Sequence, residues 1–288
     1  MIERFSFFAF PLIAAIVCMD YTTVSLKVHK QRLPTDLPSV ATTAQVSSQE
    51  KAARLWEQAI AAKGGEERLY AVHNIVISSR GGYMTHMHRK ARVRREELCV
   101  LPDKYWLWDD YRPDVFGLTV RMYDYASKTS YMATNGELNE PPALTKDSQG
   151  HKALVTHQLD FLLETRWLRP TIVKASSSRI GLRSVDIVQT LVEGERVDFA
   201  LDRDSHLPIQ ISYFDVFQGK TYVREHKFSD YADVGGIKVP LKIEYADSGG
   251  SDKYKIDIQF NVQYDQSILR RPPAVTVGPE AWKAKKVK

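Results

Sequence analysis

The chain has 288 residues, of which 43% are hydrophobic, and a formal net charge of +5. That length supplies a sizeable core. The charge excess is mild and comes with no readable nucleic-acid motif, so a dedicated nucleic-acid reader is set aside, while attraction to anionic membrane surfaces stays compatible. The two cysteines are Cys18, in the first apolar stretch, and Cys99. If the leader is removed Cys99 stands alone, so stability rests on packing rather than on an internal disulfide.

The apolar run from Phe5 to Met19, behind Arg4, suits the core of an export signal better than a full membrane span. Three outcomes stay open: a cleaved signal, a retained anchor, or lipidation at Cys18. Each places the protein in the periplasm. Residues 1–25 are thus a signal or anchor, and residues 26–46, with Pro34, Pro38 and several Ser and Thr, read as a disordered tether. Ser47 is a helix N-cap candidate with Glu50 closing a capping box. Leu55, Trp56, Ala59 and Ile60 then form an apolar stripe, with Trp56 read as core, and Gly64-Gly65 stops the helix.

Strands follow at Ile75–Ser79, Leu98–Val100 and Tyr105–Trp108, where Trp106 and Trp108 share a face. The basic run from Arg89 to Arg95 reads as the solvated side of a strand or as a contact for an acidic surface. Thr119–Tyr125 and Ser130–Thr134 form a hairpin, and Asn135-Gly136 is a turn. A second helix is expected from His151 to Leu168, with Val155, Leu159, Leu162, Leu163 and Trp167 at helical spacing and Leu154 and Phe161 widening the stripe. Pro170 marks its end. Ser184–Val192 returns to strand, and Glu193-Gly194-Glu195 turns the chain.

The clearest pattern lies between Arg196 and Tyr264. Tyr254, Ile256, Ile258, Phe260, Val262 and Tyr264 alternate with polar residues, as do Ile237, Val239, Leu241, Ile243 and Tyr245. This is the period of a half-buried strand and excludes a helix. Val197, Phe199 and Leu201, then Ile209, Ile211 and Tyr213, repeat it. The turns are Asp202–Pro208, Gln218–Lys220, Asp233–Gly236 and Ala246–Ser251. Pro240 lacks a ladder donor and is expected at an edge or a bulge. The result is an antiparallel meander with one apolar and one wet face.

The turn Asp202-Arg203-Asp204-Ser205-His206-Leu207-Pro208 and the run Phe228-Ser229-Asp230-Tyr231-Ala232-Asp233-Val234-Gly235-Gly236-Ile237-Lys238-Val239-Pro240 resemble the LolA/LolB-like superfamily of bacterial outer-membrane lipoprotein sorting. So does the order of parts. The likeness covers residues 47–268, which leaves 269–288 as a loose basic tail. It implies a mainly β (α+β) fold: a strongly curved antiparallel sheet, an open half-barrel, with helices over its concave face. It also implies an apolar space for lipoprotein acyl chains or other lipid. No functional residue of the family maps onto a position here. The apolar residues expected to line such a space are Trp106, Phe199, Ile211, Leu241, Ile256 and Ile258; a closed core without ligand would use the same residues.

Catalytic signatures are missing. There is no nucleophile elbow, zinc-protease helix, phosphate loop or dinucleotide fingerprint. His86-Met87-His88 would place two imidazoles on one strand face, but no third metal ligand can be located. Asp109-Asp110 point apart on a strand and are read as a strand end rather than an acid–base pair. No enzyme activity, cofactor or metal is expected. The leading reading is a periplasmic lipid-binding protein, with membrane association through its N-terminus. Its rival is an envelope sensor or interaction module that binds a protein partner.

Overall fold

The computed structural model describes residues 40–84, 90–112, 117–217, 220–247 and 250–269. The leader, most of the tether, the basic tail and the His86/His88 pair lie outside them. Two helices come first, α1 (Val40–Lys63) and the short α2 (Glu66–Tyr70). A first run of strands follows: β1 (Asn74–Met84), β2 (Lys90–Val100), β3 (Lys104–Asp110), β4 (Leu118–Asp124), β5 (Thr129–Thr134) and β6 (Glu137–Leu138). Helix α3 (Gln149–Leu162) then leads into β7 (Thr171–Ile180), β8 (Arg183–Val192), β9 (Glu195–Asp202), β10 (Pro208–Phe217), β11 (Lys220–Val234), β12 (Ile237–Asp247) and β13 (Gly250–Phe260). A 3₁₀ turn, Gln266–Leu269, closes the described chain.

All the strands join one antiparallel sheet in the order β6-β5-β4-β3-β2-β1-β13-β12-β11-β10-β9-β8-β7, which is not closed into a barrel. Two meanders are thus zipped together along β1 and β13, where Ile77 pairs with Ile258. Because β6 and β7 end the sheet on opposite sides, the connection between them, residues 139–170, has to cross from one edge to the other. Helix α3 is the middle of that crossing and touches β3 and β12.

Alternation puts Ile75, Ile77, Cys99, Tyr105, Leu107, Phe199, Ile211, Ile243, Ile256 and Ile258 on one face, in a core shared with Trp56 and Ala59 of α1 and with Leu154 and Phe161 of α3. A second core lies on the opposite face of the β1–β5 end. Val76, Leu98, Trp106, Trp108, Val120 and Met122 pack there under Ile268 and Leu269 of the 3₁₀ turn. Trp106 and Trp108 therefore do share a face, but it is the face opposite Phe199 and Ile258.

Several elements depart from the sequence-based expectation for local reasons. Helix α1 starts at Val40, since nothing between Pro38 and Ser47 stops it. Ser47, the expected N-cap, therefore lies inside the helix and does not start it. The hydroxyl of the next residue, Ser48, donates to the carbonyl of Ala175 at 3.1 Å on the edge strand β7, and Gln49 reaches Ile172 O there. These bonds occupy backbone groups that an edge strand would otherwise expose. The second helix begins at Gln149, capped by Ser148, and ends at Leu162 because Leu163 takes φ +66°. The Thr165 hydroxyl then gathers the amides of Trp167 and Leu168 into a turn. The short α2 and the mostly exposed β7 carry too little apolar alternation to announce themselves. Pro240 sits where β12 pairs only with β11, because the β12–β13 ladder starts at Lys242.

The Glu193-Gly194 turn has positive φ at both residues, 52° and 92°, as a tight hairpin requires. Gly64, at φ +137°, is more constrained. A Cβ there would lie 2.3 Å from the carbonyl oxygen of Gly236 in the β11–β12 turn. Replacing Gly64 with Ala is expected to destabilise the fold by more than ~1 kcal/mol, read as a lowered midpoint in denaturant. An unchanged midpoint would mean that α1 does not need this close approach.

Candidate functional site

The crossing connection is fastened to the rest of the molecule by three buried or half-buried carboxylates. On the β2 side, His157 Nε2 of α3 lies 2.9 Å from Oε2 of Glu97, which also accepts the Tyr105 hydroxyl. One turn along α3, Asp160 accepts the Tyr213 hydroxyl at 2.8 Å and sits 2.9 Å from His226 Nδ1. Beyond the helix, Glu164 accepts Trp56 Nε1 at 2.7 Å and the Tyr70 hydroxyl at 2.6 Å. Residues i and i+3 share a helix face, so His157 and Asp160 address the sheet together, with Phe161 beside them.

The sheet supplies the partners through its pleat. Glu97 alternates inward with Cys99, while Arg95 sits opposite Asp109 in the β2–β3 register. Arg95 donates to Asp109 at 2.6 and 3.1 Å, and Tyr111 donates to the same carboxylate. Asp110, its sequence neighbour, instead binds exposed Arg112. The two aspartates do point apart, at the end of a strand. The basic run also divides: Arg92 and Arg94 are exposed, whereas Arg95 turns inward.

Burial sets the protonation states here. Desolvation by itself would raise the Glu97 carboxyl, but His157, Arg95 and Tyr105 outweigh it and hold it near 2. Burial would lower His157, yet Glu97 and then Asp160 raise it above the ordinary 6.5. Burial, followed by Asp160, pushes the Tyr213 hydroxyl up. Lys63, fully buried at the end of α1, is lowered by burial to about 7 against the opposing pull of Asp160. Its Nζ has no hydrogen-bond partner among the described residues and lies 5.5 Å from the centre of the Tyr231 ring.

Two clefts flank the first half of α3. The larger, about 790 Å³, opens between the helix and β2, β3 and β11–β13, with Arg95, Glu97, Tyr105, His157, His226 and Tyr245 in its wall. The other, about 290 Å³, lies toward β8–β11 beside Val155, Val197, Tyr213 and Phe214. The two share Asp147, Lys152, Thr156 and Arg224. His157 Nδ1 is buried without a hydrogen-bond partner among the described residues.

The six residues read from sequence as a lining are placed elsewhere. Phe199, Ile211, Ile256 and Ile258 lie together in the core beneath the helices, none more than 7% exposed. Trp106 belongs to the core on the opposite face, and Leu241 is half-buried outside both cores. None of them lines either cleft. The polar seam escaped the sequence reading because its members are far apart in the chain. Its one local signal is His157 and Asp160 inside the apolar stripe of α3. Among the described residues no group of three or more His, Cys, Asp or Glu is placed to hold a metal, and no helix is long and apolar enough to cross a membrane.

Breaking the buried Glu97–His157 pair by Glu97→Ala is expected to cost roughly 3–5 kcal/mol, because it strands an imidazolium. Glu97 is held low, so its contribution is complete above 4.5 and fades as pH falls toward 2. His157 is held high, so its contribution is complete below 6.5 and fades as pH rises through its folded value. The stability gap between wild type and variant should therefore be widest between about pH 4.5 and 6.5. Denaturant titrations across pH that gave a flat gap would refute the pairing.

No family model matches the chain, and no curated protein matches it. Solved structures do. A LolA superfamily protein from Nitrosomonas europaea aligns over 76% of this chain and 97% of its own, with 12% identity and a TM-score of 0.50. A DUF1329 family protein from Desulfovibrio piger aligns over 78% and 96%, with 8% identity and a TM-score of 0.46. The long antiparallel sheet with its helices thus has a LolA-like fold.

Proposed function

We propose that this chain is a periplasmic cell-envelope carrier that holds the acyl chains of a lipoprotein, or another lipid, between its helices and the inner face of a sheet curled into a half-barrel. The observation that carries this reading is the way the apolar face is covered. One crossing connection lies over it, and charged pairs pin its helix at the centre, among the buried Leu154, Leu159, Phe161 and Leu162. A helix held in that way releases as a unit when its few clamps part. Phe199, Ile211, Ile256 and Ile258 lie beneath α1 and α3 and would become the wall that receives an acyl chain. Each CH₂ so buried is worth about 0.8 kcal/mol. The clefts beside α3 give the polar head a place at the mouth, where the unsatisfied His157 Nδ1 supplies a hydrogen-bonding group. The apolar N-terminal stretch fits export or anchoring in the same compartment.

The test is lipid extraction and native mass spectrometry on the full chain, expressed with export and purified without added lipid. The expected result is a bound acyl species that co-purifies reproducibly and exchanges for an added fluorescent fatty acid. A clean ligand-free mass that also refuses the added probe would overturn the carrier reading and leave the inner face as a filled core.

A further inference from the structure

The outer face at the middle of the sheet carries an arrangement that strand pairing normally avoids. Arg94 on β2 stands directly opposite Arg80 on β1, Arg80 opposite Lys255 on β13, and Lys255 opposite Lys242 on β12. Four cations thus form one row across four neighbouring strands, about 14 Å wide at ~4.8 Å per strand. All four are exposed. In the next row, two residues along, stand Arg92, Gly82, Lys253, Glu244 and Lys227.

Asp230 neutralises Lys242 at one end of the row, and the other acids nearby leave the rest of it uncancelled. Glu244 binds Lys253, Glu225 binds Lys227 and Asp230 binds Lys242. Asp110, opposite Arg94, binds Arg112. Asp257 lies two residues beyond Lys255. Arg80 and Lys255, at the centre, form none of the ion pairs among the described residues. Like charges placed directly opposite on paired strands destabilise a sheet. The repulsion is lifted when an anion covers the row.

We propose that this face docks on an anionic lipid surface, with Arg94, Arg80, Lys255 and Lys242 set against lipid phosphates. The chemistry of the patch selects that partner. A protein interface is anchored by apolar or aromatic side chains at its centre, and neither row contains one. Single-stranded nucleic acid is gripped by exposed aromatic platforms, which are also missing from the two rows. Mobile lipid headgroups need neither and gather around a fixed lattice of cations, each worth about a fivefold gain in partitioning. The inference stands apart from the carrier reading, because it concerns the opposite face and no bound acyl chain.

The test is sedimentation of the full chain with phosphatidylcholine vesicles, with and without phosphatidylglycerol, at low and high salt. The comparison is with the variant Arg80→Gln/Lys242→Gln/Lys255→Gln. The N-terminal apolar stretch is common to both proteins, so the difference between them reads the face. Wild type should show phosphatidylglycerol-dependent binding that salt abolishes, and the variant should lose it by roughly tenfold or more. The variant should also melt no lower than wild type, since repulsion has been removed. A charge-conserving variant, Arg80→Lys/Lys255→Arg, should retain binding. Equal wild-type binding to both vesicle types would overturn the proposal, as would full binding by the triple variant. Failure on vesicles with salt-sensitive binding to an oligonucleotide would reassign the face to nucleic acid.

Discussion

The crossing of the sheet by residues 139–170 is the constraint from which the rest follows. An open sheet whose two ends are consecutive in the chain must be spanned by the segment that joins them. That segment carries α3 over the inner face and so decides which strands it meets. The sheet answers with a carboxylate or a histidine where α3 brings the other, at Glu97 with His157 and at His226 with Asp160. Helix α1 completes the cover from the β7 edge, where Ser48 meets Ala175, to the β11–β12 turn, where Gly64 meets Gly236.

Such a cover is uneven in kind. Around Trp56 and Phe199, whose rings meet edge to face at 4.9 Å, packing is apolar and insensitive to pH. Along α3 the buried Leu154, Leu159, Phe161 and Leu162 are interrupted by charge at His157 and Asp160. Removing two charges from water costs about what their attraction returns. The seam therefore adds specificity of position more than net stability. The same asymmetry distinguishes the two faces of the sheet. One face packs with α1 and α3, while the opposite face holds its cations in the open at the middle of the sheet.

The sheet was legible in the sequence because its signal is local. Alternation from Tyr254 to Phe260 and from Ile237 marks two strands, although Val262 and Tyr264, which continue the pattern, lie past the strand end and pack on the opposite core; Asn135-Gly136 and Glu193-Gly194 fix turns that the backbone adopts with positive φ. Helix limits were less legible. The end of α3 is set by Leu163 and the Thr165 turn, neither of which breaks the apolar spacing that runs on to Trp167. The sharing of faces between distant strands was not legible at all. Trp106 and Phe199 each alternate correctly, but only the assembled sheet shows that they belong to cores on opposite sides. The buried polar seam was hidden for the same reason: Glu97, His157 and His226 are brought together by topology and not by spacing in the chain.

A helix α3 that lifts off an apolar face leaves a signature in amide exchange. Native-state hydrogen exchange tests for such lifting most directly, because local opening and global unfolding expose amides at different free energies. The amides of Gln149–Leu162 are expected to exchange through an opening clearly cheaper than that of the central strands β12 and β13, and acyl ligand is expected to change the protection of α3 while leaving those strands unaltered. Exchange of α3 only at the free energy of global unfolding, with or without ligand, would contradict the lifting of α3.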